Sequence, residues 1–293
     1  MKTNWPPELV RSIAARRCVL FFGAGVSMNS TARIGSKRPI GWSDFLHGAT
    51  KTLGRPNSRL VKEVKILIEK NDFLTAAEVI KQKVGRERFV DLVKDEFHTP
   101  DFQPAKIHDV LFQLDLKIAL TPNFDCIYET AAGKRGAGTI TVKKYDDDDI
   151  ADALRRDEPV LIKTHGTVTH PNHLIFTRTD YAKARSEHKH FYELINALLR
   201  THTFLFVGCG LDDPDIRALL EDYRYTHPFG QSHYFVTAAG LFEPVKAVLS
   251  DTLKINIVEY EASAGHMNLT PELDRLVALV DAERDEMAAT QSW

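Results

Sequence analysis

Seven short runs of β-prone residues recur along the chain: Cys18–Phe22, Leu116–Leu120, Thr139–Val142, Val160–Lys163, Thr203–Val207, His233–Thr237 and Lys254–Val258. Most are apolar without interruption. A strand with one wet face alternates apolar and polar positions, whereas a strand covered on both faces need not. Helical patterns such as Asp146–Arg155 and Phe191–Arg200 lie between several of the runs. Strand, helix, strand in repetition predicts an α/β fold with a doubly wound, mostly parallel Rossmann-like sheet.

One interval breaks the rhythm. Residues 43–113 hold helical patterns, including Leu60–Glu69, Leu74–Lys83 and Arg86–Phe97, and no clear strand. That is far more helix than the dozen or so residues a single crossover needs. The expectation is a helical insertion module that forms a second small lobe within a single domain spanning residues 1–293. Three smaller readings accompany it. Arg178–His190 is polar and reads as a loop leading into a surface helix, Leu174–Thr177 reads as strand-like, and the acid run Asp146–Asp149 reads as a helix start. The chain end, from Asp281 to MAATQSW, reads as a charged helix with a weak finish.

Composition removes several classes. Lys plus Arg is 38 and Asp plus Glu is 40, a net charge of −2. A general nucleic-acid binder would normally carry a basic excess, so no direct nucleic-acid binding is expected. No apolar run approaches the length that crosses a bilayer, and the first residues lack the apolar stretch of a signal peptide. The three cysteines, Cys18, Cys126 and Cys209, stand singly and far apart, which offers neither a disulfide framework nor a zinc pair. A soluble cytoplasmic protein without metal is the expectation.

Glycines and polar residues gather just after four of the strands. Gly23-Ala24-Gly25-Val26-Ser27 follows the first, Thr121-Pro122-Asn123-Phe124-Asp125 the second, Thr164-His165-Gly166 the fourth and Gly208-Cys209-Gly210-Leu211-Asp212-Asp213 the fifth. In an open α/β sheet the ligand crevice lies at that edge. Gly23 and Gly25 permit a tight turn and close backbone approach to a phosphate, but Met28 stands where the dinucleotide fingerprint has its third glycine. His165, at a strand end, can serve as a base near neutral pH, or be a buried structural histidine. Asn123 and Asp125, two apart, point to one side of an extended segment, where they can hold a hydroxyl, a water or a carboxamide, or simply cap a helix.

Taken together in order, GAGVS (Gly23–Ser27), TPNFD (Thr121–Asp125), KTHG (Lys163–Gly166) and FVGCGLDDPDI (Phe206–Ile216) resemble the sirtuin superfamily, specifically its bacterial NAD-hydrolysing branch. The resemblance implies an NAD-binding Rossmann-like domain, a helical second module and a site that cleaves the nicotinamide–ribose bond. By motif match, His165 resembles the family's catalytic histidine, Asn123 its catalytic asparagine and Asp125 its nicotinamide-pocket acid. Gly23, Ala24, Gly25 and Ser27 would line phosphates and ribose, with Gly208 and Gly210 on the adenosine side. NAD is then the substrate, with water as acceptor. Protein-deacetylating sirtuins carry two cysteine pairs soon after the His-Gly block, and none stands here; Gly35–Trp42 occupies the place of their arginine-bearing strand.

The resemblance implies an antiphage-defence effector that depletes NAD and is held silent until triggered. Its gating is expected from homo-oligomerisation or from a separate partner such as a HerA-like hexameric ATPase. Two alternatives are an NAD-dependent protein deacylase or ADP-ribosyltransferase, disfavoured by the missing cysteine pairs, and a non-catalytic NAD or ADP-ribose sensor. A pure binder needs neither Asn123 nor His165.

Overall fold

The computed structural model describes residues 2–134, 140–211, 213–262 and 265–290. Thr139 of the third apolar run, Asp212 of the last block and the last three residues of the C-terminal tail lie outside the described residues. The strands are β1 (Cys18–Phe22), β2 (Thr31–Ala32), β3 (Phe102–Gln103), β4 (Ile118–Thr121), β5 (Thr141–Lys144), β6 (Val160–Lys163), β7 (Thr203–Val207), β8 (His233–Ala238) and β9 (Ile255–Tyr260). Seven of them make one sheet in the order β5-β6-β4-β1-β7-β8-β9, parallel throughout. From β1 the chain adds β4, then the edge strand β5, then β6 between those two, and returns to add β7 on the other side of β1. That reversal places the switch point, and hence the crevice, at the carboxyl ends of β1 and its neighbours.

The uninterrupted apolar runs are explained by two cores. Val19 and Phe21 of β1, Val160 and Ile162 of β6, and Phe204 and Phe206 of β7 enter one. The alternate residues Leu20, Phe22, Leu161, Leu205 and Val207 enter the other. β1, β6 and β7 thus bury both faces, as the inner strands of a parallel sheet between helical layers do. The second core is closed by Pro7–Ala14, Lys106–Gln113 and the long helix Leu269–Thr290.

The helical interval forms a core of its own. Helices Trp42–Ala49, Arg59–Glu69, Phe73–Val84 and Arg86–Phe97 pool Phe45, Leu46, Val64, Ile68, Ile80, Phe89 and Val93. Ser58 and Asp72 cap two of these helices by accepting from the backbone N–H groups of Val61 (3.4 Å) and Thr75 (3.3 Å). At the end of the interval, Lys106–Gln113 buries Ile107, Val110 and Leu111 in the core that covers the sheet. A two-residue antiparallel ladder, β2 with β3, ties the module's base.

Three local expectations are corrected. Arg178–Glu187 is helical, because Thr177 and Asp180 form a reciprocal capping box and Tyr181 and Ala184 supply a buried side. Leu174–Thr177 joins no strand; Ile175 donates its N–H to the His165 carbonyl at 3.1 Å, so the segment packs on the loop after β6. The acid run precedes its helix, which starts at Ile150, since Asp146 and Asp147 turn back to Lys144 and Asp146 also meets His173 at 2.7 Å.

His233, first residue of β8, is buried between Phe204 and Tyr223, and its Nδ1 accepts the Phe204 N–H at 3.1 Å. Burial, with Lys254 adding to it, pushes its pKa down to about 3. The unfolded chain takes up a proton near pH 6.5 that folded His233 refuses, so stability is lost as pH falls from there toward about 3. At 1.36 kcal/mol per unit, the loss by pH 5 is about 2 kcal/mol. Urea midpoints compared at neutral pH and at about pH 5 should show that slope in the native chain and a shallower one in His233→Gln. Equal slopes would contradict it.

Candidate active site

The segment after β4 is built around alternation. The Thr121 hydroxyl donates to the Phe22 carbonyl at 2.8 Å and accepts the Asn123 N–H at 3.2 Å, which pins the start of the turn against β1. Phe124 points away from the sheet into the module's core, stacked on Phe176 with ring centroids 5.1 Å apart and beside Phe97. Its flanking residues therefore face the other way. Asn123 Nδ2 donates to Ser27 Oγ at 3.0 Å, and that hydroxyl donates to Asp125 Oδ2 at 2.7 Å. Asp125 Oδ1 also accepts the Ile127 N–H at 3.1 Å, so it caps the following helix as well.

Beneath this turn lies a residue that sequence reasoning passed over. Lys163, last in β6, is fully buried, donates to the Asp125 carbonyl and pairs with Glu129 at 3.1 Å. Burial works against its charge, but the carboxylates of Glu129 and Asp125 more than offset this and hold its pKa above the ordinary lysine value. A permanent cation thereby clamps the loop that carries Asn123 and Asp125.

The glycines after β1 meet protein. A side chain on Gly23 would lie 2.6 Å from Cys209 Cβ, and one on Gly25 would lie 2.8 Å from the Gly208 carbonyl oxygen. Gly25 also donates its N–H to that carbonyl at 2.8 Å. Gly208 returns the fit at φ +63°, where a Cβ would touch the Val26 nitrogen. The two loops therefore interlock backbone to backbone, a requirement for glycine that holds with or without a phosphate. Ala24 is half-buried in the short turn Ala24–Ser27, and Gly210 is exposed.

His165 follows the pairing of Thr121 with Lys163, so it stands two residues past the last rung of β6 as Asn123 does past that of β4. Its Nε2 lies 3.0 Å from Asp213 Oδ2, and its Nδ1 lies 3.5 Å from the Tyr181 hydroxyl. Tyr181 donates to the same Asp213 oxygen at 2.8 Å. The other oxygen, Oδ1, accepts the N–H groups of Asp215 (3.0 Å) and Ile216 (2.9 Å), capping the helix Pro214–Thr226. Burial works against the Asp213 charge, but His165 and these hydrogen bonds hold its pKa below the usual carboxylate value. Burial and the Asp213 charge push Tyr181 well above the usual phenol range, so its hydroxyl stays a donor.

The structure thus joins Ser27, Asn123 and Asp125 in one hydrogen-bonded chain and sets His165 in a second group with Asp213 and Tyr181. Ser27, Asn123, Asp125 and His165 are 3%, 8%, 7% and 5% exposed. Alongside, a cavity of about 600 Å³ opens between the module and the β5–β6 ends, lined by Lys81, Arg86, Phe89, Tyr145, His173 and Phe176.

A family model described as the SIR2-like domain matches residues 117–257, from just before β4 into β9. Over those residues the chain is similar to SIR2-like domains. It is also similar to proteins named NAD(+) hydrolase ThsA. Identity is 23% over 230 residues with that of Bacillus cereus (strain MSX-D12), covering 78% of this chain and 44% of the relative. It is 26% over 233 residues with that of Acinetobacter baumannii (strain 532279), covering 78% and 43%. Defense-associated sirtuin 2 of Bacillus subtilis is 25% identical over 220 residues, covering 74% of this chain and 20% of the relative. The chain spans less than half the length of these relatives.

Asp213 and Tyr181 escape sequence reading for different reasons. Asp213 carried a readable sign, since Asp before Pro214 is an N-cap pattern, but nothing local says that its second oxygen reaches His165. Tyr181 was hidden in a segment too polar to look packed. Among the described residues, no group of three or more His, Cys, Asp or Glu could hold a metal ion, and no helix is long and apolar enough to cross a membrane.

The interlocked loops give a direct check. Gly25→Ala should destabilise the chain by about 1–3 kcal/mol, because the colliding atoms are backbone. Gly48→Ala, with nothing within 4 Å in helix Trp42–Ala49, should be neutral or stabilising by up to about 1 kcal/mol. Equal denaturation midpoints for Gly25→Ala and the native chain would contradict the interlock.

Proposed function

We propose that this chain is an NAD hydrolase that cleaves the nicotinamide–ribose bond to give nicotinamide and ADP-ribose, acting in antiphage defence. The observation that carries the reading is the gathering of Ser27, Asn123, Asp125 and His165 at the carboxyl ends of β1, β4 and β6, the last three of these residues within the stretch similar to SIR2-like domains. The names of the relatives, NAD(+) hydrolase and defence-associated sirtuin, support the same chemistry.

NAD supplies a good leaving group, since nicotinamide departs neutral from a positively charged ring. The chain must then exclude bulk water, favour developing positive charge on the ribose and place one acceptor. His165 takes a proton from a ribose hydroxyl or from water, and Asn123 orients that water. Asp125, held by Ser27 and the Ile127 N–H, presents its carboxylate to the carboxamide side. The turn Gly23–Ser27 carries the phosphates and ribose, and Gly208 with Gly210 the adenosine side.

Regulation belongs to the same reading. The site side chains are almost fully buried, so admitting a dinucleotide requires the module and the strand-end loops to part. We assign that opening to homo-oligomerisation or to a separate partner such as a HerA-like hexameric ATPase, which would keep the cytoplasmic enzyme silent until triggered.

His165→Ala and Asn123→Ala should each lose about a hundred- to ten-thousand-fold in NAD turnover while still folding cooperatively, at a stability cost of about 1–3 kcal/mol for the buried partner left behind. Chromatography of nicotinamide release by the purified full chain, alone and with candidate partners, checks this. Native turnover in either variant would overturn the assigned roles.

A further inference from the structure

The hydrolase reading gives His165 a proton to move but does not say which ring nitrogen moves it or what fixes the ring. The geometry points to Asp213 as the positioning residue: its carboxylate holds the His165 Nε2–H and leaves the basic lone pair on Nδ1. This deepens the proposed function and rests on it.

The argument is one of full occupancy. A carboxylate has two oxygens, and both of Asp213's are committed in different directions. Oδ1 accepts two backbone N–H groups at the start of helix Pro214–Thr226, which anchors the group to a rigid element. Oδ2 accepts from Tyr181 at 2.8 Å and faces His165 Nε2 at 3.0 Å. An ionised carboxylate only accepts, so Nε2 must carry the hydrogen. An imidazole whose Nε2 is the donor has its lone pair on Nδ1. Because Tyr181's own hydrogen is directed to Asp213, its oxygen at 3.5 Å leaves that lone pair unfilled.

The anchor extends outward. Tyr181 sits on Arg178–Glu187, and this helix is fastened to the module by Lys81 to Asp180 (2.7 Å), Arg178 to Asp72 (2.8 Å) and the Thr179 N–H to Glu78 (3.0 Å). Arg185 and Tyr192 hold Asp215, two residues after Asp213, at 2.6 and 2.8 Å. The ring is therefore oriented by a carboxylate fixed from one helix N-terminus and from two neighbouring helices, an arrangement suited to a base that must not rotate.

Asp213→Asn tests the idea without removing the cap, since Asn is as good an N-cap as Asp. The amide keeps one oxygen for Asp215 and Ile216 and turns its NH2 toward His165, which forces the ring hydrogen onto Nδ1. Nitrogen-detected NMR of the full chain labelled at histidine should report the Nε2–H form in the native protein and the Nδ1–H form in the variant. NAD turnover should lose about tenfold or more in kcat, with KM within about twofold and an unchanged unfolding midpoint. Tyr181→Phe should keep the native tautomer. An unchanged tautomer in Asp213→Asn, or native kcat in that variant, would overturn the assignment. If the native chain turns over no NAD either alone or with candidate partners, the hydrolase reading fails, while the tautomer measurement still decides the role of Asp213.

Discussion

The hydroxyl of Ser27, taking a hydrogen bond from Asn123 and giving one to Asp125, joins the loop after β1 to the loop after β4 inside the protein. Much else is arranged around that bridge. Phe124 lies between the two polar residues and is buried in the helical module, so the turn cannot rotate without pulling an aromatic ring out of its stack on Phe176. Lys163 holds the Asp125 carbonyl from below. Packing above and a buried cation beneath give two polar side chains one orientation, as a pre-organised site needs.

The helical module therefore does more than cover the sheet. Its core includes Phe124, Val168 and Phe176, each from a segment that follows β4 or β6. Its surface holds the helix that bears Tyr181, and through Tyr181 and Asp213 it reaches His165. Both groups of site residues thus touch the same lobe, one through an aromatic stack and the other through ion pairs. A displacement of the module would be felt by Asn123 and by His165 together.

The parallel sheet was legible because burial on both faces leaves an unbroken apolar run, and β1, β6 and β7 fall where those runs predict. Their punctuation was legible too: polar residues and glycines after strands mark the crevice edge, and the spacing of Asn123 and Asp125 placed them on one side. Contacts between distant segments were not legible. Nothing near His165 names Asp213 or Tyr181 as partners, and nothing near Gly25 says that Gly208 fills the space its missing side chain leaves. The helix Arg178–Glu187 was obscured by its own polarity, since only Tyr181 and Ala184 are buried. Lys163 reads as the polar end of an apolar strand, and its burial becomes intelligible only once Glu129 is seen beside it.

The central claim is that this pre-organised site directs water onto the ribose of NAD. Incubating the full chain with NAD in oxygen-18 water, and weighing the products by mass spectrometry, tests it most directly. The account predicts unlabelled nicotinamide and ADP-ribose heavier by one oxygen-18 substitution. ADP-ribose attached to protein, or a cyclised product without the label, would contradict it.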